Sequence, residues 1–165
     1  MNPLTENQIR SSFLNISKGD AKRAVLPDLS QIAWEERDYL GWQDARRPLL
    51  HYVALEVDGE LTCLLLRGSS SVTSTKMLCA WCQDVIDGVH AASFVAPLAG
   101  EAGRRGNSIG TAICADFGCS RNVRRAPTAV ELRTADPALL EYHREQRIAG
   151  LRARSADFVR AVQRR

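Results

Sequence analysis

Met77-Leu78-Cys79-Ala80-Trp81-Cys82 and Cys114-Ala115-Asp116-Phe117-Gly118-Cys119 decide how this chain is read. Each run brings two thiols close along the chain, with two residues inside the first pair and four inside the second. Such spacing lets each run form a tight turn that presents two thiolates to one ion, so the four sulfurs predict a single tetrahedral site. The donor set suits zinc first, and an iron–sulfur cluster or free thiols are the alternatives these residues leave open. Four protein ligands close the coordination sphere and leave no position for water or substrate, so the metal is expected to be structural.

The residues between the pairs have the pattern of a second unit built on that site. Ala91-Ala92-Ser93-Phe94-Val95-Ala96-Pro97-Leu98 and Ser108-Ile109-Gly110-Thr111-Ala112-Ile113 read as two strands of a hairpin. Their glycine-rich connection, residues 100–107, is expected to project as a flexible tip with Arg104 and Arg105 at or near its end. The glycine run lacks the Gly-Lys-Ser/Thr ending of a phosphate-binding loop. Cys119 then opens a short helix that ends before Pro127, which places a thiolate at the positive end of a helix dipole. Knuckle, hairpin, third cysteine, turn and fourth cysteine on a helix form the order of a treble-clef zinc finger. His90 lies between the pairs, but with four cysteines available a surface or strand-end place is expected for it.

Upstream, residues 49–67 hold two apolar, partly β-branched arms around Asp58-Gly59, the dipeptide that supplies both positive φ angles of a type I′ hairpin turn. A serine- and threonine-rich connector, residues 68–75, reads as a flexible loop into the first cysteine pair. Residues 28–42, with Trp34, Tyr39 and Trp42, read only as weakly helical or turn-rich. Thr5-Glu6-Asn7-Gln8 matches a capping box, and Ile9, Phe13 and Ile16 follow near helical spacing until Lys18-Gly19-Asp20 interrupts. Downstream, Asp136-Pro137 is an N-cap and first-turn pair, and Ile148, Leu151, Ser155, Phe158 and Val162 make one apolar stripe. A helix with a single stripe packs on the body, and its arginines read as a solvated face. The fold class is therefore α+β: a treble-clef zinc finger joined to a small antiparallel β-sheet, with a helical C-terminal tail. Residues 1–76 form the N-terminal helix and hairpin segment, 77–126 the zinc finger and 127–165 the tail, all expected to pack as one compact domain.

Composition narrows the function classes. At 165 residues and 45% hydrophobic content a single core is feasible. No apolar run is long enough to span a bilayer, and the N-terminus lacks a signal-peptide layout, so a cytoplasmic protein without membrane contact is expected. An odd number of cysteines, five, argues against a disulfide framework, and Cys63, within an apolar run, reads as a buried free thiol. Residues 1–75 carry eight Lys/Arg against ten Asp/Glu, and residues 76–165 carry fourteen against nine; net −2 precedes net +5, which sums to the overall +3. The basic character thus belongs to the zinc half. No carboxylate pair or serine–histidine pairing can be defended from spacing, so no enzyme is expected.

Cys79-Ala80-Trp81-Cys82, Phe94-Val95-Ala96, the run from Gly100-Glu101-Ala102-Gly103-Arg104-Arg105-Gly106-Asn107 through Ser108-Ile109-Gly110-Thr111, and Cys114-Ala115-Asp116-Phe117-Gly118-Cys119-Ser120 together resemble the C-terminal treble-clef domain of the elongation factor G-binding proteins, the fusidic-acid-resistance family. The resemblance is strongest over residues 77–125. It implies a non-enzymatic partner of the translation machinery that binds elongation factor G through the zinc domain and promotes its departure from the ribosome, rescuing complexes stalled by fusidic acid. By position it implies Cys79, Cys82, Cys114 and Cys119 as zinc ligands, with Cys114 standing where resistance proteins of the family have histidine. It also implies partner contacts beside the knuckle and on the strand approaching the third ligand, here Ala80 or Trp81 and the stretch of Arg104, Arg105 and Ser108. Full-length resistance proteins carry a helical domain ahead of the zinc domain, for which 165 residues leave no room. The competing expectation is binding of ribosomal RNA or DNA through Arg104, Arg105, Arg121, Arg124, Arg125 and the tail arginines.

Overall fold

The structure, a computed structural model, describes residues 1–68, 77–84, 90–129 and 131–164, and residues 69–75 of the serine-rich connector lie outside them. Five strands, β1 (Tyr39–Gln43), β2 (Leu50–Val57), β3 (Glu60–Gly68), β4 (Ala91–Pro97) and β5 (Ser108–Cys114), pair antiparallel in chain order into one sheet. The β2–β3 hairpin turns at Asp58 and Gly59, whose φ angles of 53° and 82° are those a type I′ turn needs, and Val57 faces Glu60 across it. Helices α1 (Glu6–Ser11), α2 (Lys18–Arg23), α3 (Gly100–Arg104), α4 (Cys119–Arg124) and α5 (Pro137–Gln163) complete the described elements, with two short 3-10 turns before β1.

Alternation along the strands sorts the apolar residues onto two faces. Leu40, Trp42, Tyr52, Ala54, Cys63 and Leu65 meet Ile9, Ala24 and Trp34 from the N-terminal segment. Tyr39, Val53, Leu55, Val57, Leu64 and Leu66 face the other way, toward the four cysteines, Val123 of α4, and Leu151, Val159 and Val162 of α5. Because both faces are covered, the centres of β2 and β3 are buried at four and five consecutive positions, which is why both read as unbroken apolar runs. The sheet therefore divides an N-terminal core from a cysteine-side core.

Several local expectations hold. The capping box forms at Thr5 and Gln8, Asp136 caps α5 with Pro137 in its first turn, and α4 stops before Pro127. Others change. Helix α1 ends at Ser11, and Phe13 instead bridges Cys63 of β3. Lys18-Gly19-Asp20 opens α2, because the Ser17 hydroxyl accepts the Asp20 N–H and caps it. Residues 39–43 form strand β1, whose propensity signal is broken by Gly41. That glycine is required by tertiary packing, since a Cβ there would lie 2.4 Å from the Phe117 ring.

The arginines of α5 also depart from the solvated face expected for them. Arg147 pairs with Asp84, Arg152 with Asp38 and Arg160 with Asp58, while Arg154 donates to the Trp81 carbonyl at 2.7 Å. The side chains of Asp84 and Asp38 are almost wholly buried, so these arginines fasten the helix to the body. Among the described residues, no helix is long and apolar enough to cross a membrane.

Candidate metal centre

The four cysteine sulfurs come from three elements. Cys79 and Cys82 lie on the knuckle, Cys114 ends β5, and Cys119 is the first residue of α4. The knuckle hangs from the edge of the sheet, with Ala80 N–H donating to the Ala112 carbonyl of β5 at 2.7 Å. It closes through Gln83 N–H to the Cys79 carbonyl, and Gln83 takes φ 54°. A glycine commonly supplies that left-handed residue after the second cysteine; here glutamine adopts it. The second turn uses the same device, with Phe117 at φ 55° and its N–H bonded to the Cys114 carbonyl.

All four sulfurs lie within 4.8 Å of one another and all four residues are buried. Cys79 and Cys119 sulfurs are 3.6 Å apart, and Cys82 and Cys114 sulfurs 3.5 Å. A disulfide would bring sulfurs to about 2.05 Å, whereas the edge of a tetrahedron with Zn–S bonds of about 2.3 Å is about 3.8 Å. The spacing fits one zinc ion, and the sequence, by placing four soft donors there, favours it over harder cations. The residues thus form a closed structural zinc site.

Charge inside the cluster is managed by N–H donors. Cys82 N–H points at the Cys79 sulfur at 3.4 Å, and the Asn122 side chain donates to the Cys114 sulfur at 3.4 Å and toward Cys82 at 3.9 Å. Packed this closely, four thiolates would compete for the same few N–H donors and repel one another. A divalent ion removes that competition by stabilising all four thiolates together. Tyr39 lies beside the cluster with its hydroxyl donating to the Phe117 carbonyl at 3.2 Å, and burial first, then the Cys119 sulfur, pushes its pKa well up. Cys63 stands apart on the opposite face, fully buried, its thiol pushed up to about 12 by burial.

The residues expected to meet a partner separate into two groups. Arg104 and Arg105 lie on the exposed β4–β5 tip, and exposed Ser108 opens β5 where the tip ends. The tip is not an open loop: residues 100–104 wind into α3, and Ala99 N–H bonds the Val162 carbonyl of α5. Gly103 is fixed by close approach, because a Cβ there would sit 1.8 Å from the Leu98 carbonyl oxygen. Arg104 and Arg105 both reach Glu101 while keeping 72% and 73% of their side chains exposed. Such exposed pairs contribute about 0–1 kcal/mol and are readily exchanged for a partner's acid.

Of the two knuckle residues expected to contact a partner, Trp81 is turned inward rather than outward. It is 1% exposed, with its ring edge-on to Tyr39 at 5.0 Å and beside Phe158 of α5 at 6.0 Å. The cause is α5, which crosses the knuckle and covers the indole. What the knuckle does expose is Leu78, at 54%, and Ala80. Of the other basic residues weighed for nucleic acid, Arg124 is held by buried Asp38 and Arg125 by buried Asp84 and by Glu131, while Arg121 pairs with Asp116 at the surface. Asn122, Asp38 and Asp84 escaped the sequence reading. Only Asn122 left a usable signal, since three residues after Cys119 on a helix it must share that cysteine's face.

A model of the FBP C-terminal treble-clef zinc-finger family matches residues 8–162. Among solved structures, that of the fusidic acid resistance protein FusC is similar, with a TM-score of 0.56 and 21% sequence identity. The alignment covers 74% of this chain and 53% of that chain, so this chain spans about half the length of FusC, and the likeness is one of fold. No curated protein sequence matches the chain.

Proposed function

The chain belongs to the FBP C-terminal treble-clef zinc-finger family, and on that premise we propose that it is a non-enzymatic, zinc-scaffolded module that binds elongation factor G in the cytoplasm and promotes its release from the ribosome. The observation that carries this reading is the division of labour at the site. The metal has four buried protein ligands and so holds shape, while the tip and the outer knuckle, both hung on β5, stay exposed. The proposed contact surface is Leu78 and Ala80 on the knuckle with Arg104, Arg105 and Ser108 on the tip. Arginines of this kind are frequent hot-spot residues because they bring charge and flat apolar area together.

Release follows if the module binds the free or departing form of the factor better than its ribosome-locked form, since a ligand shifts an equilibrium only by its preference between states. Direct nucleic-acid binding is the weaker reading, because Arg124 and Arg125 are tied to the buried Asp38 and Asp84 carboxylates, whereas the pairs of Arg104 and Arg105 with Glu101 are exposed and exchangeable. The test is titration of the purified full chain with elongation factor G, alone and in the Arg104→Glu/Arg105→Glu double variant. We expect a micromolar or tighter complex that the double variant weakens at least about tenfold. Absence of binding at micromolar concentrations refutes the proposal, and salt-sensitive binding to ribosomal RNA without the factor would replace it with the nucleic-acid reading.

A further inference from the structure

Asn122 is a buried polar residue on α4, 7% exposed, and its side-chain nitrogen, backbone N–H and carbonyl all have partners. Its side-chain nitrogen is 3.4 Å from the Cys114 sulfur and 3.9 Å from the Cys82 sulfur. Only the NH₂ end can face two thiolates, because an amide oxygen there would meet them lone pair to lone pair. Its backbone carbonyl accepts from the Arg147 guanidinium of α5 at 2.8 Å. The same Arg147 nitrogen reaches the Asp84 carboxylate at 2.5 Å, two residues beyond Cys82, and Asp84 also holds Arg125 of the residue that follows α4. Seven residues further along α5, Arg154 binds the carbonyl of Trp81 inside the first cysteine pair.

We propose that Asn122 is a positioning residue of the metal centre and the joint through which α5 is coupled to it: its amide orients and partly neutralises the Cys114 and Cys82 thiolates, and its carbonyl takes Arg147. This reading goes beyond the partner-binding proposal and stands independently of it. Four thiolates on a divalent ion carry a net charge of about −2 in a buried place. Two N–H donors aimed at two of the sulfurs draw off part of that charge and fix the directions of their lone pairs, as outer ligands of metal sites commonly do. Arg147 then fixes the backbone that carries the amide. Docking of α5 and affinity for the metal are thereby coupled, each favouring the other by the same free energy.

The test uses the full chain, reduced and stripped of metal, titrated with cobalt(II) and then with zinc in competition against a chromophoric chelator. Asn122→Ala removes the donors; Asn122→Asp keeps the shape but replaces the donors with an acceptor. Both are expected to weaken zinc binding by about 10–100-fold and to shift the sulfur-to-cobalt charge-transfer bands, which report electron density on the thiolates. Val123→Ala, the buried neighbour on the same helix, is expected to lower the unfolding midpoint and leave the bands in place. Arg147→Gln keeps both N–H···S contacts, so the bands should stay while zinc affinity falls at least about threefold. Asn122 variants within twofold of the parent with unmoved bands overturn the positioning role. Band shifts in Val123→Ala as large as those in the Asn122 variants overturn it also. Unchanged zinc affinity in Arg147→Gln overturns the coupling to α5.

Discussion

Withdrawing the metal is the perturbation with the largest expected consequence, and the structure says which half of the protein should respond. Structural zinc contributes about 10–16 kcal/mol of apparent binding free energy in small modules, whereas an entire domain is stable by about 5–15 kcal/mol. The four ligands lie inside the same core as Tyr39, Trp81, Val123, Leu151, Val159 and Val162. Without the ion this core holds thiols or mutually repelling thiolates spaced at 3.5–3.6 Å. The loss is comparable with the whole stability, so α4 and α5 should come away. The opposite face, with Trp34, Trp42, Tyr52 and Cys63, contains none of the ligands. Hydrogen exchange on the full chain, with zinc and after chelation under reducing conditions, reads this asymmetry. Amides of α4 and α5 should approach unprotected rates while the centres of β2 and β3 retain measurable protection. A thiol count adds a check: four thiols should become reactive on chelation, and Cys63, with its pKa near 12, should stay silent until denaturant is added. Unchanged protection in α5, or a fall in unfolding midpoint below about 4 °C, which at this size corresponds to about 1–2 kcal/mol, refutes the reasoning.

Asp44 should confer an acid-side stability dependence: burial opposes its ionisation, but hydrogen bonds from Arg47, from the Val25 and Arg46 N–H groups and from Tyr52 prevail and set its pKa at about 2. Since the folded value lies below the unfolded 3.8, its contribution is present above about pH 4 and is lost as pH falls toward 2; chemical denaturation between pH 2 and 6 should show that slope diminished in Asp44→Asn. Trp81→Ala should cost about 3–5 kcal/mol of stability, because it empties a fully buried site; a variant as stable as the parent by denaturant unfolding would return Trp81 to the surface. Gly103→Ala should unwind the tip, since its Cβ cannot coexist with the Leu98 carbonyl oxygen at 1.8 Å, and exchange at residues 100–107 should rise while that of β2 and β3 does not.

How much of this was legible in the sequence varies with the range of the interaction. The β2–β3 hairpin was readable because Asp58-Gly59 carries its own backbone preference. The cysteine site was readable because ligand spacing within each turn is local, even though the two turns meet only in the fold. Strand β1 was not, since Gly41 weakens any local strand signal and earns its place only by accepting the Phe117 ring. Nor was the role of Trp81. Beside a cysteine an indole can point outward or inward with equal local merit, and the decision is made by α5, over seventy residues later, through Phe158 and Arg154.

The sequence by itself determined the donor set, the hairpins, the caps of α1 and α5, and the family to which the chain belongs, because each of these depends on residue type at short spacing. Only the tertiary structure decided where α5 lies, and with it which arginines are spent on Asp38, Asp58 and Asp84, while those at the tip keep only an exposed, exchangeable pair with Glu101. The physical reason is that a charged side chain is solvated, paired or available according to what faces it. For the arginines of α5 those partners sit as far as 114 residues away along the chain, and no local pattern encodes that distance.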